Sequence, residues 1–420
     1  MNYMDKNIKR GNTYTSSVSK PKWGLLLSLY TTQTIGISFF VVTLVAILRS
    51  AGVSFEMLSL IYALGMIWPI KFLWASWVDR VSFGWLGHYR GWMILMQLGM
   101  ILTFVAMMCF DLVDDFWTIY CLCFFVAVFS ATQDIAVDAT ACKILAWKDR
   151  GIGNGIQVAG ELLGHLIGAG IILMSYQYIG WHGTMIILAG TTSISLIQLI
   201  FYRETQMQVE RKSGWLLLST FQGLFRQPGS KHWVCILLIY PIGCSLAYAL
   251  IIPSLVDQGW KMEKIGLLVN VLGSIVGLVS ALGTGWIITR ISRKRALILS
   301  GILQILAIAA VALLVFGYTD TLSVTVAIGV YFLCYNPTVT VLATIMMDRV
   351  SGQSPATEYT LQNSLKQLFS IGMISVGTAM IGSYGYAGVF FISLVVSMLA
   401  LFISLPLKVS TKTKFEKEAY

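Results

Sequence analysis

The sequence predicts an all-α membrane protein: twelve transmembrane helices in two pseudo-symmetric six-helix bundles, with both termini cytoplasmic. Three observations carry that prediction. Of the 420 residues, 57% are hydrophobic and only 11% charged, whereas a soluble domain holds about 25% charged residues. Twelve apolar runs each approach the ~20 residues that a helix needs to cross a bilayer. Basic residues are dense after every second run and sparse after the others, the positive-inside pattern that sets orientation.

Taken in order, a polar and basic tail (1–22) precedes the first run, 23–48. That run is too long for a signal peptide and lacks a cleavage-like end. Runs at 56–75, 92–110, 116–140, 152–175 and 183–202 complete a first bundle over 23–202. The longest polar stretch, 203–232, then forms a cytoplasmic linker. Within it Trp215–Phe225 is amphipathic, and reads as a linker helix or as a piece lying on the membrane surface. A second bundle, 233–407, follows with runs at 233–254, 264–288, 296–316, 323–346, 358–382 and 387–407, ahead of a cytoplasmic tail at 408–420.

The net charge of +10 follows this topology. Segments assigned inside hold Arg80, Arg90, Lys143, Lys148, Arg150, Arg203, Arg290, Arg293, Lys294, Arg295 and Arg349 besides the basic tails. Those assigned outside hold Arg49, Lys261 and Lys264 among acids such as Asp111, Asp114, Asp115, Asp257, Glu263 and Asp320. The charge is therefore a topology signal and not a nucleic-acid footprint. The seven cysteines are scattered, with no CxxC pair or His/Cys cluster, so no metal, cofactor or redox role is expected.

The halves echo each other. Asp79-Arg80 and Arg90 follow span 2, while Arg290 and Arg293-Lys-Arg295 follow span 8. Lys148-Asp-Arg-Gly151 leads to Gln157 and Glu161, and Asp348-Arg349 leads to Gln362 and Lys366. Aligning Gln157 with Gln362 places Glu161 opposite Lys366. Two similar six-helix halves related by an axis along the membrane normal describe the major facilitator architecture.

Acids inside a span are costly and normally face a bundle interior or a water path. Asp134 and Asp138, four residues apart, share one face of span 4. Three roles suit them: an ion pair at the inner gate with Arg150, Lys143 or Arg80, a proton site, or contact with a cationic part of the substrate. Their place late in the span favours the gate. Glu161 and His165, deeper in span 5, form a second such pair, suited to a proton relay or to a plain helix–helix hydrogen bond. Lys366 is the matching counter-charge, either in a salt bridge to Glu161 or as an attractor of anionic substrate. Gln33, Asn270, Gln304 and Asn336 (before Pro337) complete the expected pore-lining set.

Asp79, Arg80 and Arg90 resemble the facilitator signature between helices 2 and 3. That resemblance implies that Asp79 meets the inner N-terminus of helix 11 near Thr357 and latches the halves. Its counterpart in the second half is Thr289, so the latch is expected on one side only. Lys71-Phe-Leu-Trp74, Trp77-Val-Asp79, Ala131-Thr-Gln-Asp-Ile-Ala-Val-Asp138 and Ala356-Thr-Glu-Tyr-Thr-Leu-Gln362 resemble the AmpG-type muropeptide permeases and the acetyl-CoA transporters. Within that branch the chain looks most similar to the inner-membrane siderophore importers of the rhizobactin and pyochelin type. It has the Trp-Val-Asp and Glu-Tyr-Thr-Leu-Gln forms and leaves no room for the two extra spans of muropeptide permeases. The resemblance implies Lys71, Asp79, Asp134 and Asp138 as shared motif residues, and alternating access driven by the proton gradient.

The expected function is proton-coupled import of a ferric siderophore, or a similar bulky polar metabolite, across a bacterial inner membrane by a monomer. The alternative is uptake of a cell-wall fragment or another anionic conjugate. An enzyme is not expected, because no Ser/His/Asp grouping, HExxH or phosphate-cradling glycine loop occurs.

Overall fold

The computed structural model describes residues 20–204, 229–318, 320–351 and 354–407. The N-terminal tail up to residue 19, the linker between 205 and 228 with its amphipathic Trp215–Phe225 piece, and the 408–420 tail lie outside the described residues. Every described element is helical. The first crossing is α1 (Lys20–Ser38), a π segment (Phe39–Leu44) and α2 (Val45–Ser50). The second is broken into α3 (Phe55–Leu64), α4 (Ile67–Ile70) and α5 (Phe72–Arg80), with a 51° bend across Lys71. Pro69 contributes to the break, since it offers no N–H to the turn before it.

Next come α6 (Tyr89–Met107), α7 (Phe116–Ile144), α8 (Arg150–His165), a π segment (Leu166–Ile171) and α9 (Ile172–Phe201). The second half runs α10 (Ser230–Ile239), α11 (Ile242–Asp257), α12 (Met262–Gly266), a π segment (Leu267–Leu272), α13 (Gly273–Ile288), α14 (Arg293–Val315), α15 (Thr321–Asp348) and α16 (Pro355–Ser404). Ser54, Ser292 and Asp320 cap α3, α14 and α15 by accepting a backbone N–H.

Among the described residues nine helices are long and apolar enough to cross a membrane, and the bent second crossing makes ten. Two of the nine, Arg150–Phe201 and Pro355–Ser404, run 52 and 50 residues. At ~1.5 Å per residue each would reach about 75 Å, against ~30 Å of hydrocarbon. Each leaves helical backbone angles at one glycine, Gly180 (φ 62°) and Gly385 (φ 65°), where only glycine takes the backbone angle without strain.

The buried apolar side chains form three clusters. One joins both halves at the end that carries the basic loops, with Leu29, Val78 and Ile135 from the first half and Trp233, Leu297 and Met346 from the second. At the far end the core divides. One cluster there is built only from first-half residues such as Phe39, Phe104 and Met185, and the other only from second-half residues such as Leu250, Ile308 and Val389. The halves therefore share a core at the basic end and keep separate cores at the other, where the π segment after α8 still meets the one before α13, a Cβ on Gly170 standing 3.3 Å from Val271 Cγ2.

Candidate functional site

The bend in span 2 aims Lys71 into the first bundle. Its ammonium lies 4.5 Å over the Trp68 ring and pairs with Asp134; the two side chains are 0% and 1% exposed. Gln33 Nε2 donates to the other Asp134 oxygen at 2.5 Å. One turn on, Asp138 Oδ1 accepts from Tyr30 Oη at 2.9 Å and from Gln157 Nε2 at 3.2 Å, while its Oδ2 is buried without a partner. Trp74 Nε1 donates to Thr132 Oγ1 at 3.0 Å, so the two AmpG-like stretches, 71–74 and 131–138, touch each other directly.

Neither Asp134 nor Asp138 pairs with Arg150, Lys143 or Arg80. Lys71 takes Asp134 instead, because the break delivers a cation inside the bundle. Lys143 stacks over the Tyr89 ring at 4.9 Å, and Arg80 is exposed. Arg150 crosses to the other half, where its Nη1 reaches Asp348 Oδ1 at 3.1 Å and the Met347 carbonyl at 3.2 Å. Arg293 returns the contact. Its Nε holds Asp348 Oδ2 at 2.9 Å, and its Nη2 donates to the Trp147 carbonyl at 2.6 Å.

Asp79 lies against the first turn of α16. Its carboxylate accepts from Ala356 N (3.1 Å), Thr357 N (2.8 Å) and Thr357 Oγ1 (2.6 Å), and from Tyr89 Oη at 2.7 Å within its own half. A carboxylate at a helix N-terminus stabilises by roughly 0.3–1 kcal/mol, and by up to ~2 when partly buried. Thr289, at the corresponding place, bonds its own helix through Trp286 O at 2.6 Å. Arg90 caps the end of α9 through the carbonyls of Leu199 and Ile200, both at 2.9 Å. Glu204 in return accepts from the N–H groups of Tyr89 and Arg90 at 3.2 Å.

Glycines let the halves meet closely here. A Cβ on Gly155 would stand 2.8 Å from the Ala281 carbonyl and 3.1 Å from Gly285 Cα, a small-residue crossing of α8 on α13. Just above it Tyr359 Oη, from α16, donates to Gln157 Oε1 at 3.1 Å. Gln157 thus joins Asp138 in one half to Tyr359 in the other.

At mid-depth Glu161 on α8 and Lys366 on α16 are both partly exposed, and they lie within electrostatic range of each other, Asp138 and Lys71. They form no ion pair with each other. His165 Nδ1 lies 3.1 Å from Ser38 Oγ, and Nε2 lies 3.4 Å from Asn270 Oδ1 across the halves. Ser38 and His165 each precede a π segment, and Asn270 lies within one. Such bulges concentrate at functional sites.

Three residues expected to line the pore are enclosed instead. Gln33 (0% exposed) is spent on Asp134, Gln304 (1%) is buried with its Nε2 unpartnered, and Asn336 (3%) donates to Phe332 O at 2.7 Å in its own helix. Pro337 frees the Leu333 carbonyl, which Ser280 Oγ takes at 2.6 Å. Asn270 alone of that set remains partly exposed.

Sequence reasoning missed Tyr30, Tyr359, Asp348 and Arg293 as partners. Tyr30 carried a signal, since Tyr30 and Gln33 share a helix face as Asp134 and Asp138 do. Among the described residues no group of three or more His, Cys, Asp or Glu could hold a metal ion.

A family model described as Major Facilitator Superfamily matches residues 26–373. The chain belongs to the major facilitator superfamily. It is therefore a membrane transporter and not an enzyme. It is 26% identical over 372 residues to the anhydromuropeptide permease of Escherichia coli, covering 87% of this chain and 74% of that one. A Haemophilus influenzae protein of uncharacterised function is 25% identical, over 94% of this chain and 97% of its own length. Among solved structures, the human organic anion transporter MFSD10 gives a TM-score of 0.71 at 13% identity, covering 92% of this chain and 100% of its own. That likeness shows the fold alone. The AmpG-like part of the sequence expectation stands on these relatives; the siderophore subtype has no support from them.

Proposed function

We propose that this facilitator takes up cell-wall fragments of the anhydromuropeptide kind across a bacterial inner membrane, by alternating access driven by the proton gradient. The substrate class rests on one observation, the 26% identity to the E. coli anhydromuropeptide permease over 87% of the chain. The mid-depth chemistry suits it. A fragment joining sugar to peptide carries charges of both signs, and Glu161 and Lys366 offer both without pairing to each other.

With Gly180 and Gly385 taken as reversals and span 2 as one broken crossing, the reading counts twelve crossings and starts and ends the helical part on the basic side. The positive-inside rule makes that side cytoplasmic. The described conformation is then closed to the cytoplasm by Arg150–Asp348–Arg293 and by Asp79 on α16, and divided toward the outside. Asp138, whose Oδ2 lacks a partner, is assigned the coupling proton, with Glu161 on the cavity side.

Uptake of labelled anhydromuropeptide and of a labelled ferric siderophore, side by side in cells lacking their own permeases, separates the readings. The gene is expected to raise muropeptide uptake alone. If it raises siderophore uptake and leaves the muropeptide unchanged, the proposal fails and the siderophore reading replaces it.

A further inference from the structure

On the flank of the first bundle, at the basic end, α1 and α9 enclose a groove of about 520 Å³ lined by Lys22, Gly24, Gln198, Phe201, Tyr202 and Arg203. Helix α9 packs on α6 and α1 within its own half, so the groove faces the surroundings of the protein and not the space between the halves. Its polar lining is rich in donors. Ser28 Oγ donates to Gln198 Oε1 at 2.6 Å, which occupies the amide oxygen and leaves Nε2 as the group Gln198 offers.

Among the described residues no acid lines the groove. The neighbouring carboxylate, Glu204, is engaged by the N–H groups of Tyr89 and Arg90, both at 3.2 Å. Neither Lys22 nor Arg203 has a carboxylate partner among the described residues. Two cations and an amide donor thus stand together at the level of the basic loops, beside a strip of apolar side chains. Phe201 is 80% exposed, and Ile197 and Ile194 continue the strip deeper along α9 at 54% and 57%.

We propose that this groove binds an anionic glycerophospholipid. Lys22, Arg203 and Gln198 hold the headgroup phosphate, and one acyl chain runs along Phe201, Ile197 and Ile194. Phosphate needs donors and positive charge, and basic pockets between membrane helices on the cytoplasmic side recognise anionic headgroups. A zwitterionic lipid presents the same phosphate with its own cation attached, which would meet Lys22 and Arg203 with repulsion. The site is separate from the substrate pathway, and its test does not depend on which metabolite is carried.

Native mass spectrometry of the full-length protein, exposed to equal amounts of phosphatidylglycerol and phosphatidylcholine with matched chains, reads the preference directly. Wild type is expected to retain phosphatidylglycerol about 10- to 30-fold better, the scale for two basic side chains near a headgroup. Lys22→Gln with Arg203→Gln should bring the ratio close to one while leaving the oligomeric state and thermal transition of the lipid-free protein unchanged. Equal retention of both lipids by wild type would overturn the proposal without recourse to any variant. So would a double variant that keeps the preference.

Discussion

Lys71 shows how a single residue decides the reading of its neighbours. With the ammonium present, Asp134 is a neutralised carboxylate; without it, the charge would be buried with only the Gln33 amide and no counter-charge. Lys71→Met is therefore expected to destabilise the protein by roughly 3–5 kcal/mol, whereas pairing it with Asp134→Leu recovers most of the loss. Thermal unfolding in detergent checks this, and a double variant no better than the single one would contradict it. At Asp138 the expectation concerns function: Asp138→Asn should abolish concentrative uptake yet keep exchange of labelled for unlabelled substrate. Loss of both would show that the acid serves the structure instead. The pairing of Asp134 and Asp138 on one face was legible from their spacing. Their partners were not, because spacing fixes the face of a helix but not the element that meets it. The Arg150 expectation failed for that reason: the chain bends at Lys71, and Arg150 reaches Asp348 at 3.1 Å in the other half.

At the scale of elements, α8 does the joining. Its Gly151 and Gly155 meet Ala281 and Gly285 of α13, and Gln157 above them bonds Tyr359 of α16. Gly155→Val would push a branched side chain into the Ala281 carbonyl, which stands only 2.8 Å from the position of a Cβ. The expected outcome is parting of the halves at the basic end, read as faster labelling of an engineered cysteine at Gln157 from the side that carries the basic loops. Unchanged labelling would count against α8 as the closing element. Asp79→Asn should act the same way but more weakly, since it removes only the charge at the α16 N-terminus. Apolar run length made the spans legible, because bilayer thickness dictates it. The break at Lys71 and the three π segments were hidden, since they arise from how helices meet and not from local composition. Gly180 and Gly385 show the converse: each falls between two expected runs, and there the structure has a kink at a single glycine and no loop.

For the whole molecule, the distribution of the core carries the account. A cluster shared by both halves at the basic end, and two separate clusters beyond it, describe a molecule with one core on one side and two on the other, joined there along α8 and α13. Alternating access requires that shared cluster to open and the separate ones to approach. Among the described residues the polar contacts across the halves lie mostly at the basic end, so a substrate shifts the balance only by as much as it favours the opposite state over this one. The all-helical facilitator fold was legible because hydropathy and basic-loop asymmetry are set by the membrane. Substrate class was not, because it depends on a handful of side chains brought together at mid-depth, and there the relatives shift the weight from siderophore to cell-wall fragment. The most direct measurement uses purified protein in sealed proteoliposomes, with labelled anhydromuropeptide outside and an inward proton gradient imposed. The account predicts accumulation above the external concentration that collapses when a protonophore is added. Internal label that never exceeds equilibrium, with or without the gradient, would contradict it.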